Sequence, residues 1–251
     1  ETDPELFGEA IPISGVAGDQ QAALYGQVCF DPGDSKCTYG TGCFLLTNTG
    51  NRRINSSSGL LTTIVCDSDG RPVYSLEGSV FIGGAVIQWL RDELQILENS
   101  SDSEQMASSI NNSNGVVLVP AFTGMGAPYW DMNVKGLITG LTRGSNRNHI
   151  VRAALESIAF QVNDLLDSIY KDMDINLSTL KVDGGACANN FLMQFQADII
   201  QQIIDRPNNI ESTALGAGFL AGLGTGFWSH TGELKNVRKT DKLFTAKMTD
   251  K

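Results

Sequence analysis

The sequence predicts an α/β domain with a mixed sheet flanked by helices, on three observations. Between residues 35 and 78, β-rich runs alternate with glycine-containing turns. From about Asn148 to Met173 the apolar residues keep helical spacing. Beyond that point a short apolar run, LKVDGG, ends in a glycine turn and leads into a second helical pattern.

In chain order, IPISGVAG reads as an apolar strand or extended segment running into a helix, DQQAALYG, with Asp19 placed as its N-cap. SKCTYGTGCFLLTNTG and LLTTIVC are strand-like, and DSDGRPVYSLEG adds a hairpin with Asp-Gly at its turn. Ala85, Val86, Trp89, Leu90, Leu94 and Leu97 predict a helix over 84–97. NSSDSEQMASSINNSN is the one compositionally biased stretch. Ser101 and Glu104 suggest a capping box there, giving a short surface helix and loop. GVVLVPAF reads as a buried strand before the loop TGMGAPYWD. STALGAGFLAGLGTGFW reads as a small-residue helix able to approach a neighbour closely. No internal repeat or domain boundary is evident.

Composition narrows the partners. The chain of 251 residues can bury a substantial core, and its net charge of −10 opposes nucleic acid or anionic membrane as a partner. No apolar stretch is long enough for a bilayer-spanning helix, and the acidic opening ETDPELFGEA does not resemble a signal peptide. Cys29, Cys37, Cys43, Cys66 and Cys187 lack zinc-site spacing and read as reduced packing residues of a cytosolic protein. Sequons at Asn55, Asn99, Asn111 and Asn176 have no secretory context to give them meaning. His149 and His230 have no partnered nucleophile and read as structural or solvent-exposed.

Three segments could carry chemistry, each with a plainer alternative. Asp19, ionised at a helix N-terminus, could accept a proton from a hydroxyl attacking a phosphoryl group, with the Gln20 amide binding a polyol. Alternatively Asp19 only caps the helix. Gly40 and Gly42 bracket Thr41 in a turn whose amides could approach phosphate, or the turn is simply a hairpin. In VDGGACANN, bare backbone at Gly184 and Gly185 could let a ligand lie against the chain with Asn189 beside it, or this too is only a turn. Gly84 and Gln88 lie one helical turn apart and could share a face. The spacings of a dinucleotide fold and a P-loop are both missing.

Taken together, GVAGDQQAAL, TYGTGCFLL, GLLTT, EGSVFIGGAVIQWLRD, VPAFTGMGAPYWD, VDGGACANNFLMQFQADI and TALGAGFLAG resemble, in order and spacing, the C-terminal domain of the glycerol kinases, within the FGGY carbohydrate kinases. The resemblance runs from about Ile11 to Trp228, and GLITGLTRGSNRNHIVRAALESIAF resembles the second FGGY signature. It implies a ribonuclease-H-like domain of the actin/hexokinase ATPase type, spanning 1–251, and a cytoplasmic enzyme that is a homo-oligomer at full length. ATP and Mg2+ are implied, with glycerol phosphorylated to glycerol 3-phosphate. Asp19 matches the family's base, lying near the magnesium. Asp19, Gln20 and Phe44 match glycerol-contacting positions, and Thr41, Gly84, Gln88, Gly185 and Asn189 match ADP- or ATP-contacting ones. Family members are about twice this long. Their N-terminal domain, with the first phosphate loop and further glycerol contacts, is not in this chain, so the chain alone is expected to be inactive. Members inhibited by fructose 1,6-bisphosphate carry a basic, glycine-rich loop before IPISG. DPELFGEA is acidic there, and that regulation is not expected. A kinase for another sugar, such as xylulose or gluconate, or a non-catalytic actin-like nucleotide module, would share the glycine turns but not DQQAAL together with TYGTGCF.

Overall fold

A computed structural model describes residues 1–174 and 177–248; the Asn176 sequon lies outside the described residues. The elements run α1 (Pro4–Phe7), α2 (Asp19–Gly26), β1 (Ser35–Tyr39), β2 (Cys43–Gly50), β3 (Leu61–Cys66), β4 (Pro72–Val80), α3 (Ala85–Asp92), α4 (Asp102–Ser108), β5 (Val117–Val119) and β6 (Leu137–Thr139). There follow α5 (Arg147–Met173), β7 (Thr179–Asp183), α6 (Asn190–Ile200), β8 (Ile203–Pro207), α7 (Ser212–Gly224), α8 (Leu234–Val237) and β9 (Thr240–Phe244).

Among the described residues the main sheet has seven strands in the order β3-β4-β2-β1-β7-β8-β9. β1, β2, β4 and β3 are antiparallel neighbours, with β4 between β2 and β3, β7 and β8 join parallel to β1, and β9 closes the far edge antiparallel. Antiparallel strands continued by parallel ones, with helices on both faces, agree with the mixed-sheet fold that the resemblance implied. The hairpin at Asp67–Arg71 turns through Gly70 at φ 75°, as Asp-Gly predicted.

Helices α5, α6 and α3 cover one face. Leu45, Tyr39, Leu155, Ile158, Leu165, Val182 and Leu192 are buried in the large core beneath them. α5 starts where Asn146 accepts a bond from the Asn148 amide and His149 Nδ1 accepts one from the Asn146 amide, so His149 is a capping residue. On the other face α2 lies over Leu46, Val65 and Val73, with α7 packed on its outer side. The α2–α7 contact is backbone against backbone. A Cβ on Gly216 would stand 1.8 Å from the Ala22 carbonyl oxygen, and one on Gly26 would stand 2.1 Å from that of Ser212. The small-residue composition of α7 is what permits this approach.

Of the two readings of residues 11–18, strand or extended segment, the structure gives the second: they form no strand, and Ile13 and Val16 stay exposed. Other expectations are corrected. The helix expected over 84–97 stops at Asp92. Gln95 turns left-handed at φ 53° and the Ile96 amide bonds back to Leu90 O, so the apolar spacing outlasts the helix. Ser101 and Glu104 form no capping box, because Ser101 is itself helical and Glu104 reaches across to Asn190. The strand expected in GVVLVPAF covers only Val117–Val119, pairs with β6 in a separate two-stranded sheet, and leaves Val117 half exposed.

Candidate functional site

A cavity of about 430 Å3 opens where the β1–β2 turn, the start of α3 and the β7–α6 turn converge. Thr41, Gly84, Gln88, Gly185 and Asn189, drawn from these three separated turns, all line it. The β1–β2 turn is held by its own backbone: Gly40 N–H donates to Gly42 O, while Gly83 and Gly84 N–H donate to Thr41 and Gly40 O. Among the described residues the Thr41 N–H meets no acceptor, and Thr41 is exposed to the cavity. Gly42 has a packing reason instead, since its Cβ would lie 2.4 Å from Val80 O.

At the second turn Gly184 has φ 82°, a conformation that L side chains rarely adopt. A Cβ on Gly185 would meet nothing within 4 Å, so the bare backbone there faces open space. Asn189 is the N-cap of α6, its Oδ1 accepting from Leu192 N at 3.0 Å and its Nδ2 donating to Ser103 Oγ at 3.1 Å. Gln88 is exposed one turn beyond Gly84, and both line the cavity.

Ile87, Leu155, Ile158, Ala186 and Leu192 supply an apolar wall. Ser100, Ser101, Ser103 and Glu104 supply a polar one, and sequence reasoning missed it by treating this stretch as surface. The signal was there: Ser103 and Ala107, both buried, are small residues one turn apart.

Asp19, Gln20 and Phe44 do not line this cavity; Asp19 and Gln20 open α2, and Phe44 lies on the sheet face that α2 covers. Alternation along the hairpin explains the division. Thr38 pairs with Phe44, while their neighbours Tyr39 and Cys43 point into the opposite core. The Gly40–Gly42 turn stands between the two sides. Asp19 is not the N-cap of α2. Gly18, extended at φ −64° and ψ 157°, holds that place and accepts Ala22 N–H, which leaves Asp19 exposed in the first turn. Among the described residues its carboxylate accepts one hydrogen bond, from the neighbouring Gln20 N–H at 2.8 Å.

Sequence reasoning also missed Lys36. It is fully buried on β1, with Nζ donating to Gln20 Oε1 at 2.5 Å, to Thr38 Oγ1 at 2.8 Å and to Phe44 O at 3.5 Å. Burial holds its pKa below the usual lysine value, against the pull of Asp183. Burial pushes the Glu77 carboxyl up, the Lys36 ammonium opposes this, and the Asp19 charge adds to it. Asp183, itself buried, is engaged by Gln27 Nε2 at 3.0 Å.

Residues 35–225 match the model for the FGGY family of carbohydrate kinases, C-terminal domain. A glycerol kinase from Symbiobacterium thermophilum is 60% identical over 98% of this chain and 49% of its own length. A glycerol kinase from Carboxydothermus hydrogenoformans is 58% identical over the whole chain and 50% of its own length. The chain therefore spans about half the length of the curated relatives it matches. Among solved structures, Plasmodium falciparum glycerol kinase with ADP superposes with a TM-score of 0.88 at 43% identity, covering 96% of this chain and 48% of that one. A ligand-bound xylulose kinase from Lactobacillus acidophilus superposes at 0.78 and 26% identity, covering 90% and 45%.

Proposed function

The chain belongs to the FGGY family of carbohydrate kinases, as a C-terminal domain, and from that premise we propose that it is the nucleotide-binding half of an ATP-dependent glycerol kinase. The observation that carries this reading is the convergence of Thr41, Gly84, Gln88, Gly185 and Asn189 on one cavity. Its apolar wall suits an adenine and ribose, and the exposed Thr41 amide suits a phosphate oxygen. The substrate is glycerol rather than a sugar such as xylulose, supported by relatives near 60% identity against about 26% for the xylulose kinase.

In this reading Gln20 and Phe44 contact glycerol from the α2 face. Asp19 accepts the proton of a terminal hydroxyl as its oxygen takes the γ-phosphoryl group, giving glycerol 3-phosphate and ADP. Such transfer is chiefly positioning and electrostatics. Mg2+, when bound, neutralises charge on the phosphates. Asp19, an exposed carboxylate, is an oxygen ligand of the kind Mg2+ takes, and one carboxylate suits an ion held mainly by phosphates and water. The residues 1–251 form one half of the enzyme, and an N-terminal domain supplies the opposing phosphate loop and glycerol contacts. The whole enzyme works in the cytoplasm as a homo-oligomer. The acidic net charge gives nucleic acid no purchase, and no described helix is long and apolar enough to cross a membrane.

Two assays test the proposal. By calorimetry, the chain alone binds ADP or ATP weakly, and a coupled assay finds negligible glycerol phosphorylation by it. The full-length enzyme turns over glycerol in preference to xylulose or gluconate. Turnover of about 1–100 per second by the chain alone would overturn the half-site reading, and preference for a sugar would overturn the substrate.

A further inference from the structure

A fully buried lysine needs a reason. Placing an ammonium out of water costs several kcal/mol unless its protons are matched, and nothing in the turnover scheme above uses Lys36. Its surroundings narrow the choice. The side chain rises from β1 on the face beneath α2, and Lys36, Leu46 and Glu77 stand in register across β1, β2 and β4. The ammonium is spent on three oxygens: Gln20 Oε1, Thr38 Oγ1 and Phe44 O. Two of those acceptors belong to the two residues assigned above to glycerol, Gln20 and Phe44.

An ammonium donates and never accepts. A glutamine amide facing it must present its oxygen, and its NH2 group is then left to face away. We propose that Lys36 is a positioning residue that fixes Gln20 as a hydrogen-bond donor toward a hydroxyl oxygen of the bound polyol, and sets the Phe44 backbone beside it. Without Lys36 the Gln20 side chain is free to rotate or flip, and the site loses its preference for an acceptor atom at that place. The inference rests on the glycerol kinase reading and deepens it.

The test uses full-length enzyme. Lys36→Met keeps the length and apolar stem but removes the donor. It is expected to raise KM for glycerol roughly 3- to 10-fold, the worth of one ordinary hydrogen bond, while KM for ATP stays within about twofold. Gln20→Glu keeps an acceptor for Lys36 but has no NH2, and is expected to raise KM for glycerol at least as much. In a Gln20→Leu background, Lys36→Met then adds clearly less than it does alone, because the amide it orients is gone and its bond to Phe44 O at 3.5 Å is the route left. If Lys36→Met does not fold, Gln20→Glu carries the test, and an unchanged KM for glycerol there overturns the proposal. So does a rise in both KM values together, or a full further rise in the Gln20→Leu background, since a merely structural lysine acts through folding alone. Failure of the unmodified enzyme to phosphorylate glycerol would instead overturn the function, which separates the two claims.

Discussion

The two sides of the Gly40–Gly42 turn are built on opposite plans. On the α5–α6 face an open cavity is lined by three turns and two helix walls of this chain. On the α2 face Asp19 is exposed, and the segment 11–18 leading to it is extended with Ile13 and Val16 uncovered. The first side is a container and the second a platform. In the proposed reading, this chain supplies most of the walls of a nucleotide site, whereas a small polyol, which must be surrounded to be gripped, needs a second domain. Binding and chemistry divide along the same line. Substitutions in the container should change affinity for nucleotide, and those on the platform should change turnover.

Asp19→Asn attacks the platform most directly. The residue is exposed, and Asn keeps an oxygen for the Gln20 N–H, so the melting temperature should hardly move. Turnover by the full-length enzyme should fall by about 10²–10⁴-fold, the usual contribution of a general base. Turnover within a few fold of the parent, at a pH where Asp is ionised, would move the base elsewhere.

Gly185→Val fills the container. Because a Cβ there meets nothing within 4 Å, the domain should fold normally while the side chain occupies ligand space. KM for ATP should rise about tenfold or more, equivalent to ~1.4 kcal/mol of lost binding, with KM for glycerol little changed. Equal effects on both substrates would erase the distinction between the two sides.

Gly216→Ala tests what supports the platform. The added methyl would stand 1.8 Å from the Ala22 carbonyl oxygen, so α2 and α7 must separate. A loss of about 1–3 kcal/mol is expected, or roughly 2–4 °C of melting temperature per kcal/mol. Nucleotide affinity measured on the chain by calorimetry should be spared, since α7 contributes nothing to the cavity.

The smallest effect lies outside both sides. Asp172 holds the segment before β3 through Ser56 Oγ at 2.5 Å, Ser57 N at 3.1 Å, Ser57 Oγ at 2.8 Å and Ser58 Oγ at 3.1 Å. Partial burial pushes its pKa up, but those hydrogen bonds outweigh it and hold the carboxyl below its usual range. Because the folded value is the lower one, the stabilisation is complete above the ordinary Asp value of about 3.9. It is lost as pH falls through the folded value. Comparing Asp172→Ala with the parent across that window by chemical denaturation should show a gap of at most about 1 kcal/mol, trimmed by solvent, that closes on the acid side.

Where a structural requirement is local, the sequence displays it. The glycine turns at 40–42 and 184–185, the Asp-Gly hairpin and the long helix α5 all depend on residues within a few positions of one another. Their placement around one cavity was legible only through the resemblance, because no single turn specifies its neighbours. Lys36 was not legible. A lone lysine in a strand ordinarily faces water, and nothing near it in sequence announces that α2 covers that face. The stretch around residues 100–108 forms the short surface helix expected, but nothing in its composition showed that Ser100, Ser101, Ser103 and Glu104 also wall the cavity. β8 and β9 went unmarked, since IIDRP and TDKLF are short and mixed in character and owe their pairing to β7. Gly18 rather than Asp19 caps α2 because the helix begins one residue earlier than side-chain preference alone implies.

The meeting of α2 and α7 at Gly26, Ala22, Ser212 and Gly216 leaves no rotamer between them to absorb a displacement. The pair must then travel as one lever, with Asp19 at one point of it and Trp228 at another, its ring resting on Gly222 and edge-on to Phe219 at 5.4 Å. Trp228 thus serves as a native fluorophore on the α7 side of the pair. A shift of the α2–α7 pair is expected to change the Trp228 share of the indole emission, read apart from Trp89 and Trp130, with no label and no substitution at Asp19.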